Sequence, residues 1–309
     1  MAQGVVYRST GSWYIIKDTK GKLWNARMKG VFKIEGITST NPIAVGDVVA
    51  FETENELESG ATITKIHDRK NYINRQSPRI KYQQHIVAAN VDQSIMVATI
   101  KEPRTSQGFI DRFLVVCEMY HVPAVIIFNK YDLYRQKELD QLEKFKTIYE
   151  NTGYTVLPMS IKEHLGMEDV TALLQNKISL VSGHSGVGKS SFINEIIEGK
   201  NILTKQISGW SGKGQHATTF SEMHDLPFGG AVIDTPGMKE FGLVDIEKAE
   251  LSGYFPEMKK LLNDCQFNNC LHMNEPGCAI KIAVMNGEIH EERYVSYCSI
   301  LESTGQMGY

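Results

Sequence analysis

The sequence predicts a multidomain α/β protein: a small N-terminal β-barrel, a central α/β domain on a parallel sheet, and a mostly helical C-terminal module built around a metal. Three observations carry this reading. Five short apolar runs separated by turn residues fill the first seventy positions. From about Val87 onward, buried-type apolar runs alternate with helical stretches. Near the C-terminus, three cysteines and a histidine fall within fourteen residues. The predicted units are residues 1–70, 71–242 and 243–309.

In the first unit, Val5–Tyr7, Trp13–Ile16, Lys22–Trp24, Val48–Phe51 and Ala61–Ile66 read as strands, with turns at Thr10-Gly11, Asp18–Gly21 and Val45–Asp47. Five strands in this length suit a barrel of the OB type, a common oligonucleotide-binding scaffold. Strand count alone also admits another small barrel, such as an SH3-like one. Asn71–Gln84 carries Arg75, Pro78, Arg79 and Lys81 without clear periodicity and reads as a basic linker, either a solvated connection or an RNA-phosphate contact.

In the second unit, Ser94–Ala98, Ala124–Phe128, Tyr154–Leu157, Ile178–Val181 and Ala231–Ile233 are short apolar runs of the kind that fill a buried parallel sheet. Helical stretches at Ile110–Tyr120, Glu138–Asn151 and Lys189–Glu198 lie between them. Such alternation places ligand loops at the carboxyl ends of the strands. The third unit reads as helical and polar, and too short for a large core of its own, so a structural metal is physically sensible there.

The 309 residues carry 33 Lys+Arg against 36 Asp+Glu, a formal net charge of −3. That balance argues against a protein that binds nucleic acid through bulk charge, while leaving room for local basic faces. Hydrophobic residues at 42% and charged residues at 22% exclude a disordered or fibrous chain. Five cysteines, an odd number, are too few for a disulfide scaffold and point to a reducing compartment. Met1–Gly11 is polar, and the most apolar run is far below the ~20 residues of a membrane span. The expectation is a cytoplasmic protein with no membrane partner.

Gly183-His184-Ser185-Gly186-Val187-Gly188-Lys189-Ser190 fits G-x-x-x-x-G-K-[ST] between a strand and a helix, with Ser191 next in the chain. In that context the glycines let backbone N–H groups wrap phosphates, Lys189 reaches the β- and γ-oxygens, and Ser190 offers a hydroxyl to Mg²⁺. The side chain of His184 occupies a position that makes no demand on residue type. Asp234-Thr235-Pro236-Gly237 closes a later strand, where Asp234 can hold the Mg²⁺ shell and Gly237 can offer an N–H to the γ-phosphate. Asn129-Lys130-Tyr131-Asp132 follows Phe128. The Asp132 carboxylate can accept the paired donors of a guanine edge, which adenine lacks. Asn129 can tie this loop to the P-loop, and the stem of Lys130 can lie along a purine ring. Ser160-Ile161-Lys162 is a weaker match to the loop that contacts the guanine oxygen. Gly212–Thr219 falls where a mobile Mg²⁺-sensing threonine loop belongs, and either Thr218 or Thr219 fits the role.

These boxes resemble those of translation-factor-type GTPases in rotated order, with Asn129 first, then Ser160, then Gly183, then Asp234. Rotation preserves a site when the original termini lie close together. In the third unit, Cys265, Cys270, His272 and Cys278 supply three thiolates and one imidazole, which suits a closed tetrahedral Zn²⁺ site of structural type. Cys117 and Cys298 read as packing residues.

A rotated GTPase preceded by a small barrel and followed by a Cys/His module closely resembles the ribosome small-subunit-dependent GTPase A family over essentially the whole chain. The resemblance implies slow GTP hydrolysis stimulated by the small ribosomal subunit, binding to its rRNA, and a checkpoint role in late maturation of that subunit. It implies one Zn²⁺, Mg²⁺ with GTP, and a monomer exchanging GTP and GDP. An alternative of another class is a nucleotide-gated RNA-binding protein whose hydrolysis is incidental. One departure from Ras-like chemistry stands out: Met238 follows Gly237, and a thioether cannot orient a water as glutamine does. His216 is then the candidate for positioning the water, or else an exposed loop residue or RNA contact. The residues assigned to hydrolysis are His216, Lys189, Thr218 and Thr219, with Ser190, Thr218, Thr219 and Asp234 toward Mg²⁺.

Overall fold

Alternation decides the barrel. In β1 (Ala2–Ser9), β2 (Tyr14–Asp18), β3 (Leu23–Met28), β4 (Val48–Asn55) and β5 (Gly60–Ile66), inward-facing residues meet in one cluster. Val6, Tyr14, Ile16, Trp24, Phe51 and Ile63 are its centre. The structure is a computed structural model that describes residues 2–28, 42–55, 59–76, 84–197, 221–235 and 246–304. The strands run in the order β1-β2-β3-β5-β4, and β4 pairs back onto β1. β3 and β5 are parallel and the other pairs antiparallel. That closed Greek-key order is the OB-type barrel, which settles what strand count left open.

The stretch expected as a linker contains a strand instead. β6 (Tyr72–Gln76) pairs antiparallel with β7 (Gln84–Ala89). Ile73 is buried, and the ring of Tyr72 packs on Tyr120 with centroids 5.4 Å apart, contacts that sequence periodicity could not announce in so polar a segment.

The central sheet has β8 (Gln93–Ala98), β9 (Ala124–Phe128), β10 (Thr155–Pro158), β11 (Ile178–Gly183), β12 (Glu222–Asp225) and β13 (Ala231–Asp234) in the order β10-β9-β8-β11-β13-β12. All pairs are parallel except β12–β13. The helices are α1 (Gln107–Met119), α2 (Gln136–Glu150), α3 (Met167–Leu174) and α4 (Lys189–Ile196). β12 also meets β1 of the barrel, at Arg8 opposite Glu222, so the two sheets are continuous. Side chains reinforce this seam: the Tyr7 hydroxyl donates to Asp225 at 2.6 Å, and Lys17 pairs with the same carboxylate.

The C-terminal part holds α5 (Pro256–Lys259), α6 (Ala279–Met285) and α7 (Glu291–Thr304). It shares the core of the α/β domain: Leu251, Phe255, Ile280, Tyr297 and Ile300 join one cluster with Phe113 and Leu114 of α1. At this junction the fully buried Arg293 of α7 donates to Asp111 of α1, and its Nε donates to Glu257 of α5 at 2.7 Å. The Tyr149 hydroxyl adds a 3.0 Å bond to Asp111. Burial opposes the Arg293 charge, yet Asp111 and Glu257 hold its pKa above the ordinary arginine value. Removing one member of a buried charge group strands the others, at a cost of ~3–5 kcal/mol. Arg293→Met, which keeps the length and drops the charge, should therefore lower stability by about 3 kcal/mol in denaturant titration. A change below ~1 kcal/mol would mean that Asp111 and Glu257 find other partners.

Candidate nucleotide site and metal centre

Parallel register brings the predicted boxes to one edge of the sheet. Val97 lies beside Gly183, Ala98 beside Phe128, Phe128 beside Pro158, and Val181 beside Asp234. The loops after β8, β9, β10, β11 and β13 therefore open on the same side, the carboxyl ends where such sheets bind ligands.

The P-loop runs from Gly183 at the end of β11 into Lys189 at the start of α4. Gly186 and Gly188 have φ of 85° and 95°, left-handed values that favour glycine. At Gly188 a Cβ would also come 2.3 Å from Asn129 Nδ2. Val187 is buried, Ser185, Ser190 and Ser191 are exposed, and His184 is half-buried. The His184 ring stacks on Phe109 of α1 with centroids 3.5 Å apart, and burial lowers its pKa, keeping it neutral. The ammonium of Lys189 pairs with Asp234 and donates to Thr235 O at 2.9 Å. Thr235 is itself fixed, donating from Oγ1 to Val181 O at 3.0 Å.

The loop after β9 is tied to its neighbours from both sides. Asn129 Nδ2 donates to Val187 O at 2.8 Å, joining this loop to the P-loop. Asn129 Oδ1 accepts from Ile161 N at 3.4 Å, and the Ser160 hydroxyl donates to Asp132 at 2.6 Å. Ser160 is fully buried, whereas Lys162 is exposed and pairs with Glu163 at 3.1 Å. Lys130, in a left-handed conformation with φ 64°, donates to Glu102 O. Asn129, Asp132, Ser160 and Ile161 thus form one group with Val187, and Lys130 faces the loop after β8. His216, Thr218, Thr219 and Gly237 lie outside the described residues.

Sequence reasoning missed three contributors: Glu102, Phe109 and Tyr134. The Tyr134 hydroxyl donates to Asn129 O at 2.6 Å and accepts from Ile100 N at 2.9 Å. No box pattern reaches these residues, because they act through the packing of a loop whose own sequence carries no motif.

In the metal centre, the donor atoms of Cys265, Cys270, His272 and Cys278 lie within 4.8 Å of one another. His272 turns Nδ1 toward the sulfurs, 3.6 Å from Cys265 Sγ and 3.4 Å from Cys278 Sγ. Burial, with Cys278 and Cys265 close by, pushes the Cys270 thiol up to about 12, while burial lowers His272. Three crowded thiols beside a neutral imidazole are a donor set that a cation would stabilise as thiolates. Among the described residues this is the single such cluster. Glu275 frames it, accepting from the backbone N–H of Leu271, Met273 and Asn274 at 2.9, 2.9 and 3.0 Å. From α7, Tyr294 and Tyr297 donate to His272 O and Leu271 O at 2.6 and 2.9 Å.

Residues 66–244 match the family described as RsgA GTPase, and residues 3–61 match the RsgA N-terminal domain. A curated relative from Flavobacterium psychrophilum, "Small ribosomal subunit biogenesis GTPase RsgA", is 50% identical over 97% of this chain and 92% of its own length. The chain belongs to the RsgA GTPase family. Its fold agrees with the crystal structure of YjeQ from Thermotoga maritima at a TM-score of 0.78, with 33% identity and 99% of both chains covered. It is also similar to YloQ, titled a circularly permuted GTPase, at a TM-score of 0.74 and 28% identity, covering 98% of this chain and 94% of that one. Like other members of the RsgA GTPase family, this chain is a GTPase, with the rotated order read from its boxes. No helix among the described residues is long and apolar enough to cross a membrane.

Gly188 supplies the sharpest test of this geometry. In Gly188→Ala, the new methyl must displace the Asn129 amide and adopt a left-handed backbone. GTP affinity, followed with a fluorescent analogue, should fall by roughly tenfold or more. An unchanged affinity would show that the Asn129–Val187 tie is dispensable.

Proposed function

We propose that this chain is a GTP hydrolase that acts on the small ribosomal subunit, binds its rRNA, and serves as a nucleotide-dependent checkpoint late in the maturation of that subunit. The observation that carries the reading is full-length similarity to relatives named for small ribosomal subunit biogenesis, 50% identical in the case above. The base-reading loop bonded to a P-loop supports the guanine half of it.

In this reading Gly183–Ser191 wrap the phosphates, with Lys189 released from Asp234 to reach the β- and γ-oxygens. Asp132, steadied by Ser160, accepts the guanine edge, and Asn129, Lys130, Ile161 and Lys162 complete the base pocket. Ser190, Asp234 and one of Thr218 or Thr219 are the residues that would hold Mg²⁺, which supplies charge neutralisation between the β- and γ-phosphates when bound. Gly237 offers its N–H to the γ-phosphate, and His216 positions the attacking water in place of the glutamine that Met238 cannot mimic. Water attacks the γ-phosphorus, the bond to the β–γ bridging oxygen breaks, and GDP and phosphate leave.

The barrel supports an RNA partner physically. Trp13 is 48% exposed, and the Arg27 guanidinium lies 3.8 Å over its ring, a stacking platform with a positive rim. Cys265, Cys270, His272 and Cys278 would hold one Zn²⁺, which would serve a structural role there. The protein acts in the cytoplasm as a monomer, with its three units meeting near residues 70 and 242.

GTP turnover is the deciding measurement, taken with the chain alone, with purified small subunits, with large subunits and with free RNA. Strong stimulation by small subunits is expected. Tight RNA binding with no stimulation would favour a nucleotide-gated RNA-binding protein instead. In the same assay His216→Ala should lose most of the stimulated rate, roughly a hundredfold, with little change in GTP affinity. Full turnover by that variant would remove His216 from the chemistry. Metal analysis should find about one zinc per chain, lost in Cys270→Ser along with several degrees of melting temperature. A wild-type chain free of zinc yet stable to chelators would overturn that assignment.

A further inference from the structure

The loop between β8 and α1 lies against both halves of the nucleotide site, and none of the nucleotide boxes includes it. It is a built structure rather than a loose connection. Thr105 N donates to Thr99 O at 2.9 Å, Thr99 N donates to the Thr105 hydroxyl at 3.1 Å, and the Thr99 hydroxyl donates to Pro103 O. Both threonines are buried. On the phosphate side, Pro103 sits where its Cδ would be 3.4 Å from a Cβ at Gly186, and Phe109 just beyond the loop stacks on His184. On the base side, the Glu102 carbonyl accepts from the Lys130 ammonium.

One side chain joins this loop to the base-reading loop. The Tyr134 hydroxyl takes the N–H of Ile100 at 2.9 Å and gives its own proton to Asn129 O at 2.6 Å. We propose that Tyr134 is a positioning residue for the guanine nucleotide: it clamps the 99–105 loop to Asn129, and so fixes the Glu102 carbonyl that anchors Lys130 beside the base. This rests on the reading of the site as a GTP site.

The physical reason is preorganisation. Lysine has four rotatable bonds, and a free ammonium must be ordered each time a base binds, an entropic cost charged against affinity. An anchor on a rigid carbonyl removes much of that cost beforehand. The anchor is only as rigid as its loop, which Tyr134 holds on the base side by two hydrogen bonds, with Lys101 reaching Glu138 of α2 at a looser 3.7 Å. Burial pushes the Tyr134 hydroxyl up to about 12, so it keeps its proton and donates throughout the neutral range.

Tyr134→Phe keeps the ring, including its edge-on packing against Tyr131 at 6.0 Å, and deletes only the hydroxyl. Two buried backbone groups lose their partner, and binding should suffer where they sit. With fluorescent GDP and a slowly hydrolysed GTP analogue, the variant should bind both about tenfold more weakly, mainly through faster release. Turnover at saturating GTP should change by less than about twofold. In a Lys130→Met background the same substitution should cost little more, because the two residues act in one chain of contacts. A folded Tyr134→Phe protein with unaltered affinities overturns the proposal. So does a loss confined to turnover, or a full additive loss on top of Lys130→Met. If the unmodified chain binds no guanine nucleotide, the reading of the site itself fails, and that result is seen before any variant is made.

Discussion

The amide of Asn129 donates to Val187 O across 2.8 Å, and the buried Asn129 stands between the loop after β9 and the P-loop after β11. Everything at the sheet edge depends on this bond being possible. It requires β9 and β11 to end level with one another, which the register through β8 provides. It requires a glycine at 188, since a methyl there would occupy the space of the amide. It also requires Asn129 to be presented inward, where the bond from its N–H to Ala98 O at 2.8 Å holds its backbone. A guanine nucleotide bound as proposed would span the two loops, so a tie between them would set the spacing it meets.

Rotation of the box order leaves this edge intact but changes what is attached to it. In this chain β12, which follows the threonine region in sequence, is the strand that carries the barrel through its pairing with β1. On the other side, α1 begins beside the P-loop at Phe109 and, one residue after Ile110, buries Asp111 against Arg293 of α7. The barrel and the metal module are therefore each mounted on an element that starts or ends at the nucleotide site. Neither is joined to it by a free linker within the described residues. Local changes at the site have short, stiff paths to both flanking units, because close-packed elements move as bodies rather than bending.

Legibility from sequence followed the physics of each element. Strands β9 and β11 were readable because a buried parallel strand must be apolar on both faces, as Ala124–Phe128 and Ile178–Val181 are. The places of the P-loop and of the Asn129 loop were readable because each motif follows directly on an apolar run, and the structure puts both at strand ends. The strand Tyr72–Gln76 was not, since four of its five residues are polar or amphipathic and it pairs with Gln84–Ala89, further along the chain. Tyr134 and Glu102 escaped for another reason. They act through a hydroxyl and a backbone carbonyl, and any sequence has carbonyls everywhere. Only the fold shows which one a lysine will meet.

The Cys/His cluster illustrates how structure can change the reason for an expectation. From sequence, a structural metal is physically sensible because the C-terminal stretch is too short to bury a large core. In the fold its apolar residues join the core of the α/β domain through α1, and the Arg293 group pins that junction. The metal is not needed to supply missing core. What it can do is local: Cys265–Cys278 has little regular structure, and its backbone is held at Leu271, Met273 and Asn274 by the Glu275 carboxylate and at two carbonyls by Tyr294 and Tyr297. Those bonds shape the loop around His272 but leave three buried thiols facing one another. A cation at that point would convert a crowded, costly cluster into the fixed centre of a rigid loop. Such a loop would suit a module that presents a defined surface to a large partner, since rigidity established before contact is not lost from the affinity at contact.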